Sequence, residues 1–277
     1  MRRILVPTDF SEIAAYALKY AANLAGNSNA EIVALYMINR EDAFLSRKEA
    51  MELYENIDYH KRINDSFDEF LNHDYLDGIK VSTEIRRQVD FEKIGDLTSE
   101  LDIDLIVIGT HGAQGLGGML IGSNTEKVVR TAEVPVLVVK NNQSYFKLNK
   151  VIMACDFNIE MKDAYKKART FLKDNSMEYD LVYINTPEDF MSTTMIDAEV
   201  KKFYKALDMA DAESQDEVKI FNNYNIEAGV YNYANKVKAD LIVLLTHGRK
   251  GLARLIYSSY GEKMANHSEI PVLTIKA

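Results

Sequence analysis

The chain repeats itself, and that repeat narrows the folds open to it more than any other feature. Ser123, Glu126, Lys127, Glu133, Pro135, Val136, Leu137 and Lys140 recur at one offset as Ser259, Glu262, Lys263, Glu269, Pro271, Val272, Leu273 and Lys276. Nearer the start, Asp9-Phe10 answers Asp156-Phe157, and Ile38-Asn39 answers Ile184-Asn185. Duplication and fusion of one unit explains these coincidences, so a fold for the first half must also serve the second. The length of 277 residues suits two domains of roughly 150 residues. The expected division is a first domain over 1–140, a polar linker rich in Asn and Lys over 141–150, and a second domain over 151–277.

Each half alternates strands with helices. Arg3–Val6 reads as a strand, followed by a helix that Ser11 can cap and that carries Ala14, Leu18, Ala21, Ala22 and Ala25 at helical spacing. Glu31–Ile38 is almost wholly apolar, as a strand covered on both faces should be. A long helical stretch over Phe44–Leu71 leads to strand Val81–Arg86, helix Ile94–Leu101, strand Leu105–Ile108, a helical run over Asn124–Thr131 and strand Val134–Val139. The second half follows with strand Val151–Ala154, helix Lys162–Leu172, strand Tyr179–Ile184, a helix near Ala198–Ala210 and strand Val218–Phe221. Helix Tyr231–Val237 and strands Leu241–Leu245 and Val272–Ile275 complete it. Five strands alternating with helices in each half predict an α/β fold of two tandem, doubly wound, parallel five-stranded sheets.

Composition sets limits on partners. A net charge of −9 and a pI near 5.2 repel phosphate backbones at long range, so no nucleic acid is expected as a partner. Cys155 is the single cysteine, which excludes an internal disulfide and any CxxC pair and fits a reducing compartment. The start, Met1-Arg-Arg-Ile-Leu-Val-Pro-Thr-Asp, holds too few apolar residues for a signal-peptide core. No run approaches the roughly eighteen apolar residues of a membrane span. A cytoplasmic chain without membrane attachment is the expectation.

The chemistry gathers where strands end. Leu105-Ile-Val-Ile-Gly109-Thr-His111-Gly112 is followed after nine residues by Gly122-Ser123 and then a helix. Glycine lets backbone approach an anion, and N–H groups at a helix start point at it with the positive end of the helix dipole. In open α/β sheets ligands sit beyond the carboxyl ends of strands, where the strand order reverses. Asp9, ending the first strand, suits ribose hydroxyls, while Gly112, Gly122 and the N–H groups of Ser123 and Asn124 suit phosphates. The plainer alternative is that Asp9 caps the next helix and the glycines only make turns. The agreement of spacing, loop position and Asp9 favours the nucleotide.

Other chemistries lack their residues. There is no GxxxxGK[ST] loop, no GxGxxG fingerprint after the first strand and no GxSxG elbow. Ser123 has no identifiable base, and His60, His73, His111, His247 and His267 show no HxxxH spacing, so neither a catalytic nor a metal-binding residue is expected. His111 and His247 recur in both loops, which fits a shared structural role. The stretch Phe190–Ile196 reads as core or subunit contact before it reads as a flap or docking surface.

Pro7-Thr8-Asp9-Phe10-Ser11 together with Gly109-x2-Gly112-x9-Gly122-Ser123 resembles the universal stress protein family. The family's Gly-x2-Gly-x9-Gly-Ser/Thr motif is matched at every fixed position, and the resemblance spans essentially the whole chain as two tandem domains. It implies a Rossmann-like fold of the adenine nucleotide alpha hydrolase type and a bound adenine nucleotide: ATP first, AMP or ADP otherwise, with Mg²⁺ through the phosphates. By the resemblance Asp9 contacts the ribose, Pro7 and Thr8 line the pocket, and Met37 offers its backbone to adenine. Gly109, Gly112, Gly122, Ser123 and Asn124 hold the phosphates. The implied role is a stress-response sensor or regulator acting through protein interactions rather than an enzyme, with a nucleotide-independent scaffold and a slow ATP hydrolase as alternatives.

The second copy departs from the motif. Leu245 replaces the first glycine and Ser258 the third, placing side chains where the family keeps backbone near phosphate. A Cβ there also opposes left-handed backbone. One competent pocket per chain, in the first half, is therefore expected. Arg249, Lys250 and Arg254 in the second loop read as a solvated basic turn, with another anion as the alternative. The family pairs domains through the last strand, which implies that the two halves pair within the chain and imitate a homodimer; assembly of two chains is a further expectation.

Overall fold

The computed structural model describes residues 1–38, 57–87, 91–110, 122–140, 148–209, 217–246 and 270–277, with backbone alone at 57–59. Ten strands are present among them. The first half supplies β1 (Arg3–Thr8), β2 (Glu31–Ile38), β3 (Val81–Arg87), β4 (Leu105–Gly109) and β5 (Val136–Val139). The second supplies β6 (Val151–Ala154), β7 (Tyr179–Asn185), β8 (Val218–Asn222), β9 (Leu241–Thr246) and β10 (Val272–Lys276). The helices of the first half are α1 (Glu12–Ser28), α2 (Ile57–Phe70), α3 (Ile94–Glu100) and α4 (Ser123–Thr131). Those of the second are α5 (Lys162–Asp174), α6 (Thr193–Ala206) and α7 (Ile226–Val237).

Apolar runs such as Leu105-Ile-Val-Ile, buried at every position, have no polar face to leave wet, so helices cover both sides. Ile4, Val6, Ile32, Leu105 and Val107 join the core beneath α1, and Leu5, Val33, Leu35, Ile106 and Ile108 join the core on the opposite face. Each such side chain, fully buried, contributes roughly 1.5–3 kcal/mol. Both halves have the same strand order, β3-β2-β1-β4-β5 and β8-β7-β6-β9-β10, parallel throughout.

The halves meet where β5 and β10 pair antiparallel through Val138↔Val272, Leu137↔Leu273 and Val136↔Thr274. Two five-stranded sheets thereby become one of ten strands. The strand edges that would otherwise invite foreign pairing cover each other. Lys276 Nζ lies 2.6 Å from Glu133 Oε1 across this seam. The outer strands β3 and β8 instead carry Glu84, Arg86, Arg87 and Lys219, charges that discourage further pairing.

The duplication is legible in the backbone even where residue types have diverged. Left-handed φ values occur in matching pairs: Phe10 (62°) and Phe157 (57°), Asn29 and Ser176 (both 54°), Asp102 (50°) and Lys238 (54°). At the amino ends of the strands, Asp104 accepts hydrogen bonds from the N–H groups of Arg2 and Arg3 at 2.5 and 3.0 Å. Asp240 does the same for Asn149 and Lys150 at 3.1 and 3.0 Å.

Several expected boundaries move. Helix α6 begins at Thr193, not near Ala198, because the Ser192 hydroxyl accepts the Met195 N–H at 3.3 Å and caps it. Helix α7 begins at Ile226, not Tyr231, with Asn225 Oδ1 accepting the Ala228 N–H at 2.7 Å. Strand β5 starts at Val136, after Pro135, which has no N–H to give the ladder. Of the helix expected over Phe44–Leu71, Ile57–Phe70 is helical and the residues before it lie outside the described set.

One repeat match is also displaced. Pro7 pairs with Leu35 and Ala154 with Val182, so with Asp9 matched to Asp156 the sheet register makes Met37, not Ile38, the equivalent of Ile184. A run of apolar residues hides a one-residue shift that hydrogen-bond register cannot tolerate.

Candidate functional site

Strands β1 and β4 are neighbours, and the chain order reverses between them. Pro7, Thr8 and Asp9 therefore stand beside Gly109 and Thr110 at the carboxyl edge of the sheet, the position where such sheets receive ligands. Pro7 and Thr8 are buried, and Asp9 is exposed. The turn beyond β1 is tightly held: Thr8 Oγ1 accepts the Phe10 N–H at 2.9 Å, and Asp9 Oδ1 accepts the Ser11 N–H at 3.1 Å. Ser11 Oγ accepts from Ala14 at 3.3 Å and caps α1. Asp9 thus holds the turn before α1, while Ser11 and not Asp9 is the cap. The left-handed Phe10 that follows is fixed by rings, stacking on Tyr36 at 4.9 Å and meeting Phe67 edge-on at 5.0 Å.

Met37 is buried, its side chain in the same core cluster as Leu5, Leu35 and Ile106. It lies one residue past the last β1–β2 pair, Thr8↔Tyr36, and pairs with Arg86 of β3. Beyond the end of β4, Gly122 precedes α4, which Ser123 and Asn124 open, both exposed. Glu126 of the first turn complements the positive end of that helix.

Sequence reasoning missed what seats α4. The buried Thr125 hydroxyl donates to the Gly109 carbonyl at 2.7 Å, and the Gly122 N–H donates to the Thr110 carbonyl. Thr110 in turn donates its N–H to Val139 at 2.9 Å. The helix start is pinned to the end of β4, and β4 to β5. A threonine two residues after the last motif position was the only available signal.

Neither Gly109 nor Gly122 needs left-handed backbone. Gly109 is not left-handed. Its missing Cβ is filled by Ile13, whose carbonyl oxygen would lie 3.1 Å from a Cβ and whose Cγ2 would be nearer still. The residue is small so that α1 can lie against β4. Gly122 has φ −57° and ψ 149°, open to any residue, so the proposed cost of left-handed backbone does not arise at either position. In the second half Leu245 has ordinary backbone, is 1% exposed and shares a core cluster with Met161 and Tyr165. A 3-10 turn over Ile159–Met161 there precedes α5, where the first half runs straight into α1.

Asp156 repeats the Asp9 turn, with Oδ1 accepting the Asn158 N–H at 3.0 Å, and Cys155 Sγ replaces the Thr8 hydroxyl, 3.4 Å from the Phe157 N–H. Gly112, His111 and, in the second half, His247, Gly248, Arg249, Lys250, Arg254, Ser258 and Ser259 lie outside the described residues. A depression of about 220 Å³ lined by Arg2, Thr98, Asp102 and Asp104 opens at the opposite, amino edge of the sheet. Among the described residues no group of three or more His, Cys, Asp or Glu is placed to hold a metal ion, and no helix is long and apolar enough to cross a membrane.

The model of the universal stress protein family matches residues 1–140 and again 147–276. The chain belongs to the universal stress protein family. Two curated members from Methanocaldococcus jannaschii are similar to it. The universal stress protein MJ0531 is 32% identical over 146 residues, covering 50% of this chain and 82% of its own length. The universal stress protein MJ0577 is 31% identical over 162 residues, covering 52% of this chain and 97% of its own. Each of these relatives therefore aligns with about half of the tandem chain. A solved universal stress protein from Archaeoglobus fulgidus matches the whole fold with a TM-score of 0.70 at 21% identity, over 99% of this chain and 96% of that one.

Proposed function

We propose that this universal stress protein binds one adenine nucleotide per chain, ATP first among them, in the crevice between β1 and β4. The observation that carries this reading is the anchoring of the α4 start to the end of β4, the strand that neighbours β1 and its Asp9. Thr125 and Gly122 anchor the helix to the end of β4, and the exposed Ser123 and Asn124 open its first turn. First-turn N–H groups and the helix dipole favour phosphate, and a carboxylate accepts ribose hydroxyls. Met37, at the open end of β2, supplies backbone for the base, and Gly112 completes the phosphate loop. Mg²⁺ enters with the phosphates.

In this reading residues 1–140 are the nucleotide-binding domain, 141–150 the linker and 151–277 a supporting domain whose Leu245 is committed to the core. The protein acts in the cytoplasm as a stress-response regulator, with nucleotide occupancy biasing a protein interaction rather than serving catalysis.

Titration calorimetry with ATP, ADP and AMP in Mg²⁺ buffer tests it, alongside mass spectrometry of nucleotide carried through purification. The expected result is one site per chain, abolished by Gly122→Val, which the backbone at 122 accommodates and a phosphate there would not. No heat with any of the three and no carried nucleotide overturns the reading and leaves the nucleotide-independent scaffold.

A further inference from the structure

Among the described residues, left-handed backbone falls on Asn, Asp, Ser and Lys positions and on two aromatic ones, Phe10 (φ 62°) and Phe157 (φ 57°). A bulky L side chain crowds its own carbonyl in that conformation, whereas Gly and Asn adopt it readily. Such strain persists only where the surroundings hold it, and it gathers at functional sites.

Rings hold Phe10. Its ring stacks on Tyr36 of β2 with centroids 4.9 Å apart and planes at 23°, and it meets Phe67 and Phe70 edge-on at 5.0 and 5.8 Å. Both of these phenylalanines are buried and belong to α2. Thr8↔Tyr36 is the last β1–β2 pair, so this clamp stands at the carboxyl ends of the two strands.

The left-handed turn decides how Asp9 is held. The plane of the peptide between Phe10 and Ser11 follows the φ and ψ of Phe10. In the observed conformation the Ser11 N–H faces back and donates to Asp9 Oδ1 at 3.1 Å, while the Phe10 N–H donates to Thr8 Oγ1 at 2.9 Å. Aspartate closes turns in this way on the backbone two residues ahead. Extended or right-handed backbone at residue 10 turns the Ser11 N–H away, and the carboxylate loses the donor that orients it.

The second half keeps the same turn. Asp156 Oδ1 accepts the Asn158 N–H at 3.0 Å across the left-handed Phe157. The ring there lies 6.2 Å from Tyr183, tilted by 31°, and meets Phe203 edge-on at 5.6 Å. This copy supplies an internal control, since the chain carries the same strained turn in the half that has lost the glycine motif.

We infer that Phe10 is a positioning residue of the ribose end of the nucleotide site. Its left-handed backbone aims the Asp9 carboxylate, and Tyr36, Phe67 and Phe70 keep it so. The inference rests on the adenine-nucleotide reading above and adds to it a residue that acts through Asp9. It also makes α2 a part of the site.

The test compares calorimetric binding of Mg-ATP and Mg-2′,3′-dideoxy-ATP to the full chain and to Phe10→Val, Phe10→Asn and Phe157→Val. Wild type prefers ATP by about tenfold or more, the worth of hydrogen bonds to a charged group. Phe10→Val disfavours left-handed backbone, so its ATP affinity falls to that for the dideoxy nucleotide, whose own affinity is unchanged. Phe10→Asn loses the rings but keeps the turn, so it unfolds at lower urea yet retains the preference for ATP. Phe157→Val loses stability and leaves both affinities as they are. Should Phe10→Val fail to fold, Phe10→Ala, which also disfavours left-handed backbone, carries the comparison. A preference for ATP that survives in Phe10→Val, or that Phe10→Asn loses equally, overturns the inference alone. So does a wild type that binds both nucleotides with one affinity. A wild type that binds neither overturns the nucleotide reading and this inference with it.

Discussion

The carbonyl oxygen of Ile13 lies 3.1 Å from where a Cβ on Gly109 would stand. The first turn of α1 is therefore seated on the end of β4 by the absence of a side chain. At the matching position Leu245 is 1% exposed, after a 3-10 turn has replaced the straight start of the helix.

Gly109→Ala should destabilise the protein by about 1–3 kcal/mol through overpacking, and Leu245→Ala by about 2–5 kcal/mol through an unfilled cavity. Gly26 in α1 has nothing within 4 Å of a Cβ, so Gly26→Ala should stabilise by about 0.5–1 kcal/mol. Urea unfolding of the three variants checks the order of effects. A neutral Gly109→Ala would show that Ile13 yields without cost.

Thr125→Val keeps the shape of the side chain but deletes the donor to the Gly109 carbonyl, 2.7 Å away and buried. The unpaired carbonyl should cost about 1–3 kcal/mol, and nucleotide affinity should fall because α4 loses its anchor. Thr125→Ser should retain both properties. Chemical denaturation and calorimetry on the pair separate a hydrogen-bond effect from a packing effect.

Burial pushes the Lys140 ammonium down to about 8, against an ordinary 10.5, with Nζ 6.0 Å from the centre of the Tyr231 ring. Between those two values the unfolded chain holds the proton and the folded chain releases it, so this group makes stability rise with pH through that window. Lys140→Met should flatten the stability curve between pH 8 and 9 and raise Tm at pH 7. Identical curves for the two proteins would refute the assignment.

Burial raises the Cys155 thiol to about 12 from 9.0. The folded state then keeps a proton that the unfolded state gives up, so the contribution of Cys155 is present below pH 9 and is lost as pH rises toward 12. A buried thiol of this kind should react with a disulfide reagent only on unfolding. Labelling followed across a urea titration should track the loss of circular dichroism; rapid labelling of native protein would place the thiol elsewhere.

The helix starts show why some of the fold escaped a linear reading. Met195 and Ile226 are exposed, so they break the apolar periodicity that marks a helix, and periodicity alone starts α6 and α7 several residues late. Their caps, Ser192 and Asn225, declare themselves only when the N–H groups they bind are in place. At the candidate site Asp9, Gly109, Gly122 and Ser123 were legible as a pattern. Thr125 was not, because one buried threonine has no periodicity to give it away.

By itself the sequence determined the duplication, the alternation of strands and helices in each half, and the family, since all three rest on residue identity and spacing along the chain. Only the tertiary structure decided that β5 and β10 join the halves into one sheet, that Met37 rather than Ile38 matches Ile184, and that Gly109 serves α1. Those outcomes depend on hydrogen-bond register and on which side chain fills a given space. Both arise between segments far apart in the chain, where spacing carries no information.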